Sequence, residues 1–168
     1  MKKAITSLIL SLVVLVAFGT EAKAQIPKDG TTSFTCGYSL TFKVLPMGQE
    51  RVQMTYEVMG VNIGDAPEDL FHKTSFRCLG ALHAVKREFN DESGFCVLIR
   101  PDGDQVFLTY KGAGKLGGVG KETWTIVGGT GKLTGIQGNT ECERFNVRPA
   151  AEGTGQGYER CKGHYKLP

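Results

Sequence analysis

The chain has 168 residues, of which 40% are hydrophobic and 22% charged, enough for one ordinary domain with an apolar core. Its 20 basic and 17 acidic residues give a formal net charge of +3. This near balance argues against a nucleic-acid-binding protein, because displacing counterions from phosphates requires a marked basic excess. The 23 glycines are separated by apolar runs, which favours a β protein with many tight turns over a low-complexity chain.

The N-terminus has the layout of a secretory signal peptide. Lys2 and Lys3 precede an apolar run over residues 5–18, and the small-x-small triplet Ala22-Lys23-Ala24 follows. The run of about 14 residues is shorter than the roughly 20 needed to span a bilayer. We therefore predict cleavage after Ala24, with no membrane anchor in the mature protein.

Cleavage changes the charge balance and sets the compartment. Residues 1–24 contain three lysines and one glutamate, so residues 25–168 hold 17 basic and 16 acidic residues, a net charge of +1. The leader resembles bacterial ones, which predicts a periplasmic or secreted protein formed by one domain over residues 25–168.

Eight strand-like segments follow one another, and helical periodicity is almost absent. The clearest alternation lies in the second segment, where Val52, Met54, Tyr56 and Val58 share one face. Polar and glycine-rich turns are predicted between segments, notably at 88–94, 112–120 and 128–135. The predicted strands cover residues 32–45, 51–59, 73–86, 95–100, 105–111, 122–127, 136–147 and 156–167.

Antiparallel strands on short connections form an up-and-down barrel or a sandwich. Closure into a barrel removes exposed strand edges. An all-β, eight-stranded antiparallel barrel is the predicted fold, with a lumen that is either filled by side chains or able to hold one small ligand.

Five cysteines remain after cleavage and are disulfide candidates in an oxidising compartment. Cys78 and Cys96 fall on the third and fourth predicted strands, and Cys142 and Cys161 on the last two, so each pair would bridge neighbours. A competing scheme joins Cys36 to Cys161 and pins the first strand to the last. The spacing does not decide between them. No C-x-x-C is present and the three histidines are far apart, so no metal site is expected.

The segment Gly128-Gly-Thr-Gly-Lys-Leu-Thr-Gly135 superficially resembles a phosphate-binding loop. A P-loop requires G-x-x-x-x-G-K-[ST], but Ile126 stands at the first glycine position and Leu133 follows Lys132. We interpret these glycines as residues of a bent turn between strands, and no nucleotide or other cofactor is implied.

The longer stretch Trp124-Thr-Ile-Val-Gly-Gly-Thr-Gly-Lys-Leu-Thr-Gly-Ile-Gln-Gly138 resembles a glycine-rich element of the allene oxide cyclase-like barrels, which include the plant dirigent proteins. The resemblance covers about residues 102–138 and concerns the fold. It implies an eight-stranded barrel with an apolar cavity, commonly assembled as a dimer or trimer. No catalytic residues of the family match positions in this chain.

Side chains that share the inward face of such a barrel are the candidate ligand-lining residues. A small apolar or aromatic ligand held in the lumen is the preferred hypothesis. A secreted interaction protein with a filled barrel is the second, and an isomerase- or cyclase-type enzyme with a buried acid or base is the third. The candidate lining residues are Met54, Tyr56, Leu108, Tyr110, Trp124 and Ile126.

Catalysis in the lumen would require an inward ionisable group with a shifted pKa. Arg77 and His83 share one face of the third predicted strand, and Glu141 and Glu143 share one face of the seventh. Surface positions are the preferred interpretation for all four, and the catalytic residues, if any, stay unassigned.

Overall fold

The computed structural model describes residues 26–168. The predicted signal peptide therefore lies outside the described residues. Eight strands are present, together with one short 3₁₀ turn at Gly131–Leu133 that links the sixth strand to the seventh. The strands are β1 (Asp29–Pro46), β2 (Arg51–Gly64), β3 (Thr74–Val85), β4 (Glu88–Ile99), β5 (Gln105–Lys115), β6 (Val119–Gly129), β7 (Gln137–Val147) and β8 (Thr154–Lys166).

The strands form one closed antiparallel barrel in chain order, which confirms the predicted fold. Each strand pairs with the next, and β8 returns to pair with β1, from Asp29 opposite Lys166 to Thr41 opposite Thr154. Since every strand has two partners, no open sheet edge remains. Within the described residues, no helix is long and apolar enough to span a membrane.

Side-chain alternation divides each strand into an outer face and a face toward the lumen. The end of the barrel that carries the chain termini is closed by apolar side chains. Leu70 and Phe71 come from the β2–β3 connection, and Leu133 and Ile136 from the β6–β7 connection; all four are almost fully buried. They pack on Phe34, whose ring contacts that of Phe71 edge to face. One end of the barrel is thus a solid core.

The glycine-rich connection has the structural role predicted for it. Gly131 and Gly135 have φ values of 55° and 80°, a region that residues with a Cβ rarely adopt. The turn between these two glycines directs the Leu133 side chain into the closed end of the barrel. The segment is therefore a turn that caps the barrel.

Two predicted turns are wrong, because the strands around them run further. Residues 88–94 lie in β4, and the reversal occurs instead at Lys86 and Arg87, both with positive φ. Neither residue is a glycine or asparagine, so the sequence carries no signal for this turn. Most of residues 112–120 also belong to strands, since β5 continues to Lys115 and β6 begins at Val119.

Both hairpin disulfides are present. Cys78 bonds to Cys96 across β3 and β4, and Cys142 bonds to Cys161 across β7 and β8. Each pair is directly opposite in the strand register. The competing Cys36–Cys161 scheme is wrong: Cys36 is a free thiol, 1% exposed. The two bridges fit a protein of an oxidising compartment.

Removing a hairpin bridge should destabilise the barrel without preventing closure. The loops closed by the bridges span 18 and 19 residues, a length for which chain entropy gives about 3 kcal/mol. We expect the double variant Cys78→Ala/Cys96→Ala to lose about that much free energy of unfolding in urea titrations.

Cys36→Ala is the matched control, because it removes a buried sulfur without a bridge and should cost only about 1 kcal/mol. Thiol labelling of the wild-type protein should modify Cys36 only after unfolding. Labelling of any other cysteine in unreduced protein would contradict the disulfide pattern.

Candidate functional site

A cavity of about 350 Å³ occupies the other half of the lumen. Its walls are mostly apolar and aromatic, and its mouth lies among the turns that join β3 to β4, β5 to β6 and β7 to β8. The volume lies near the lower end of the range typical of pockets that bind small molecules. The apolar and aromatic wall residues include Leu40, Phe42, Met54, Val58, Phe76, Leu82, Phe89 and Leu116.

The structure separates the six predicted lining residues into two groups. Met54, Tyr56, Tyr110 and Trp124 line the cavity. Leu108 and Ile126 also face inward, but they lie in the buried apolar core outside the cavity lining. Contact with a ligand remains a prediction for the first group, whereas packing accounts for Leu108 and Ile126.

One part of the cavity wall is charged, which no pattern in the sequence predicted. Arg144 on β7 lies among Glu92, Glu122 and Glu159, which come from β4, β6 and β8. Arg144 Nη2 is 2.8 Å from Glu92 Oε2, and Nε is 3.2 Å from Glu159 Oε1. Arg144 Nη2 also pairs with Glu122 Oε1. We call these four residues the acidic cluster.

Aromatic donors complete the shell around two of the carboxylates. Tyr56 Oη donates to Glu92 Oε1 at 2.5 Å, and Tyr110 Oη donates to Tyr56 Oη at 3.0 Å. Trp124 Nε1 donates to Glu122 Oε2 at 2.9 Å. These hydrogen bonds hold in place three rings that line the cavity.

Two glycines make room for the tyrosine pair. Gly80 and Gly94 are paired across β3 and β4. A Cβ at either position would overlap the hydroxyl of Tyr110, and one at Gly80 would also crowd Tyr56. The two rings therefore reach across a wall that carries no side chains at that height.

A β-bulge lets Phe89 join Glu92 on the lumen face of β4. The β4–β5 register shifts between Phe89 and Glu92, so both of these residues are buried although they are three positions apart. Asp91 faces outward there and accepts a hydrogen bond from the His83 backbone N–H at 3.0 Å. Bulges commonly re-aim a side chain beside a functional site, and no sequence alternation predicts this one.

All four members of the acidic cluster follow strand alternation, and Glu92 shares a face of β4 with Cys96 and Leu98. Glu122 shares a face with Trp124, Arg144 with Cys142, and Glu159 with Cys161. Recognising the bridged cysteines as inward would have placed Arg144 and Glu159 correctly. The four ionisable residues considered from the sequence lie elsewhere: Arg77, Glu141 and Glu143 are exposed, and His83 is half-buried on the outer face. The predicted surface positions are confirmed.

The acidic cluster carries more negative than positive charge. Three carboxylates surround one guanidinium, all within a buried region where charge is costly to leave unbalanced. Burial raises the pKa of Glu159, an effect that the positive charge of Arg144 only partly offsets. Burial alone would lower the pKa of Arg144, but Glu92 and Glu159 hold it above its usual range. Arg144 is thus charged, and burial favours the protonated form of Glu159.

Two further groups on β1 lie beside Glu159. Burial, reinforced by the charge of Glu159, raises the pKa of the Cys36 thiol, so the thiol stays protonated. Burial also raises the pKa of Tyr38, whose hydroxyl donates to Asn146 Oδ1 at 3.1 Å. A carboxylate oxygen of Glu159 lies within 4.8 Å of the Cys142 and Cys161 sulfurs. Because these sulfurs are bonded to each other, they offer no thiolate ligands to a metal.

Among solved structures, a pterocarpan synthase dirigent protein is similar to this chain, with 9% sequence identity, a TM-score of 0.45, and coverage of 99% of this chain and 98% of that chain. A likeness at this level shows nothing about function. The barrel is established by the strand pairing of this chain. The sequence matches no protein-family model and no curated protein. Membership of the allene oxide cyclase-like group therefore stays a prediction from residues 124–138.

Arg144 is the only cation of the acidic cluster, and its loss would leave three buried carboxylates without a counter-charge. We expect Arg144→Met to lower the free energy of unfolding by about 3–5 kcal/mol at neutral pH. Urea titration measures the loss. Lys162→Met, which removes an exposed cation from β8, is the control and should change stability by less than about 0.5 kcal/mol. A similar loss in both variants would contradict the role of Arg144.

The raised pKa of Glu159 makes stability depend on pH. The folded protein binds this proton more tightly than the unfolded chain, where the ordinary value is 4.5. The contribution of Glu159 is therefore fully present at low pH and is lost as pH rises through the folded-state pKa.

We expect the free energy of unfolding of the wild type to fall relative to that of Glu159→Gln as pH rises from the ordinary glutamate value of 4.5 toward neutrality. Urea titrations over that range test this. Glu143→Gln, an exposed change on the neighbouring strand, should run parallel to the wild type. Parallel curves for all three proteins would show that Glu159 ionises normally.

Proposed function

We propose that this protein is exported and binds a small apolar or aromatic ligand inside its barrel. The observation that carries the proposal is the cavity of about 350 Å³, with apolar walls and one open end. Ligand sites combine such walls with a few fixed polar groups, and the acidic cluster supplies these on one part of the wall. The cavity in the lumen also disfavours the alternative of an interaction protein with a filled barrel.

Export is supported by the predicted signal peptide together with the two disulfides. The pattern of the leader favours a bacterial periplasm or the medium. Assembly as a dimer or trimer stays a prediction from the resemblance. Ligand binding in the cavity requires neither export nor assembly into an oligomer, so these properties are tested separately from binding.

An isomerase- or cyclase-type activity is the second candidate, and Glu159 is the residue that favours it. A carboxyl group with a raised pKa, buried beside an apolar cavity, is suited to giving or taking one proton. Tyr56 and Tyr110 cannot share that role at neutral pH, because burial raises the pKa of each. If the urea titrations of the wild type and Glu159→Gln run parallel with pH, this candidate loses its support.

Trp124 gives a direct readout of binding, because it lines the cavity and is the single tryptophan of the chain. We expect 4-phenylbutan-1-ol, a neutral aromatic probe, to change its fluorescence saturably. Val58→Phe places a larger side chain in the cavity and should weaken binding by about tenfold or more, since a filled pocket excludes the probe.

Val61→Phe is the matched control, made on the outer face of the same strand where Val61 is 52% exposed. It should bind the probe as the wild type does. Equal weakening by Val58→Phe and Val61→Phe would place the probe outside the lumen. A wild-type protein that binds no neutral or charged aromatic probe would contradict the proposed function.

A further inference from the structure

We propose that the lumen selects a ligand with a cationic amine at one end of an aromatic or aliphatic body, and that the amine sits on Glu159 in the charged part of the cavity wall. This inference rests on the proposed function and names the chemical class of its ligand. Three observations carry it: an unpartnered carboxylate oxygen, the charge of the acidic cluster, and the mostly apolar character of the rest of the cavity lining.

The first observation is the hydrogen-bond inventory of the three glutamates. Both oxygens of Glu92 are partnered, by Tyr56 and Arg144, and both of Glu122 by Arg144 and Trp124. Glu159 Oε1 accepts from Arg144, but Oε2 is buried and without a hydrogen-bond partner. Glu159 lines the cavity and is 5% exposed. Since its terminal torsion is soft, a ligand N–H can be taken up at this carboxylate.

The second observation is the sign of the unbalanced charge. Arg144 neutralises one of the three carboxylates that face it. In an empty barrel, a proton on Glu159 reduces the remaining excess. A ligand ammonium group performs the same neutralisation and adds donated hydrogen bonds, which are strongest between charged partners. Binding of a cation should therefore release the proton from Glu159.

The third observation orients the ligand. Away from the acidic cluster, the cavity is lined by side chains such as Leu40, Val58, Leu82 and Phe89, which favour an apolar body. Lys115 and Arg87 line the mouth, but both are exposed, so solvent and salt screen their charges. The buried carboxylates act in a lower dielectric and dominate the choice of head group.

Three probes that differ only in the head group test the inference: 4-phenylbutylamine, 4-phenylbutan-1-ol and 4-phenylbutyrate. Dissociation constants come from Trp124 fluorescence and calorimetry at neutral pH. We expect the amine to bind about tenfold more tightly than the alcohol, because a charge-assisted hydrogen bond in a buried site contributes about that difference in affinity. The carboxylate should bind most weakly. In Glu159→Gln the ratio of amine to alcohol affinity should fall to near one, whereas Glu143→Gln should keep the wild-type ratio.

The outcomes separate the two proposals. If the alcohol or the carboxylate binds as tightly as the amine, the inference is overturned while the proposed function stands. An amine preference that survives in Glu159→Gln overturns the assignment to Glu159. If none of the three probes binds, the inference and the proposed function fail together.

The pH dependence of wild-type binding tests the same point without a variant, should Glu159→Gln fold poorly. Affinity for the amine should rise with pH as Glu159 gives up its proton, and calorimetry in buffers of different ionisation enthalpy should register proton release. Flat affinity together with no proton release overturns the inference. The titratable and charged side chains that face Glu159 within the lumen are Cys36, Tyr38, Tyr56, Glu92, Tyr110, Glu122 and Arg144.

Discussion

The ladder between β1 and β8 is the constraint on which the lumen depends. It pairs the first strand with the last over the whole length of β8, and without it the sheet would have two open edges and no interior. The members of the acidic cluster lie on four strands from β4 to β8, and the tyrosine that binds Glu92 lies on β2. Only a closed sheet brings these groups within hydrogen-bond distance, so closure creates the site as well as the fold.

The interior shows how one set of alternating strands supports two different environments. Toward the termini, Phe34, Phe71 and Leu133 fill the space completely, and packing of this kind supplies most of the stability. Toward the mouth, the same alternation lines a space that no side chain fills. The acidic cluster lies beside this space, where buried carboxylates cost stability. The fold therefore retains these charged groups at some expense in stability.

Much of the fold was accessible from the sequence, because an antiparallel barrel depends on alternation. The register that opposes Cys142 to Cys161 follows from the hairpin, and Tyr56, Tyr110 and Trp124 were placed inward for the same reason. The site was less accessible. Phe89 points inward only through a bulge, and the turn at Lys86 and Arg87 uses positive φ without glycine. The pairing of Arg144 with residues from three other strands is a tertiary property that no local pattern encodes.

The order of folding events follows from the same connectivity. Hairpins join residues close in sequence, and each disulfide closes a loop of fewer than 20 residues, whereas Lys28 and Pro168, which meet beside the β1–β8 ladder, are 140 positions apart. Local pairings form early, and closing a long loop costs more entropy and comes late. Until then, Arg144 and its glutamates remain hydrated. The desolvation of the acidic cluster thus accompanies closure of the barrel, and the cost of burying its charges falls on that late step.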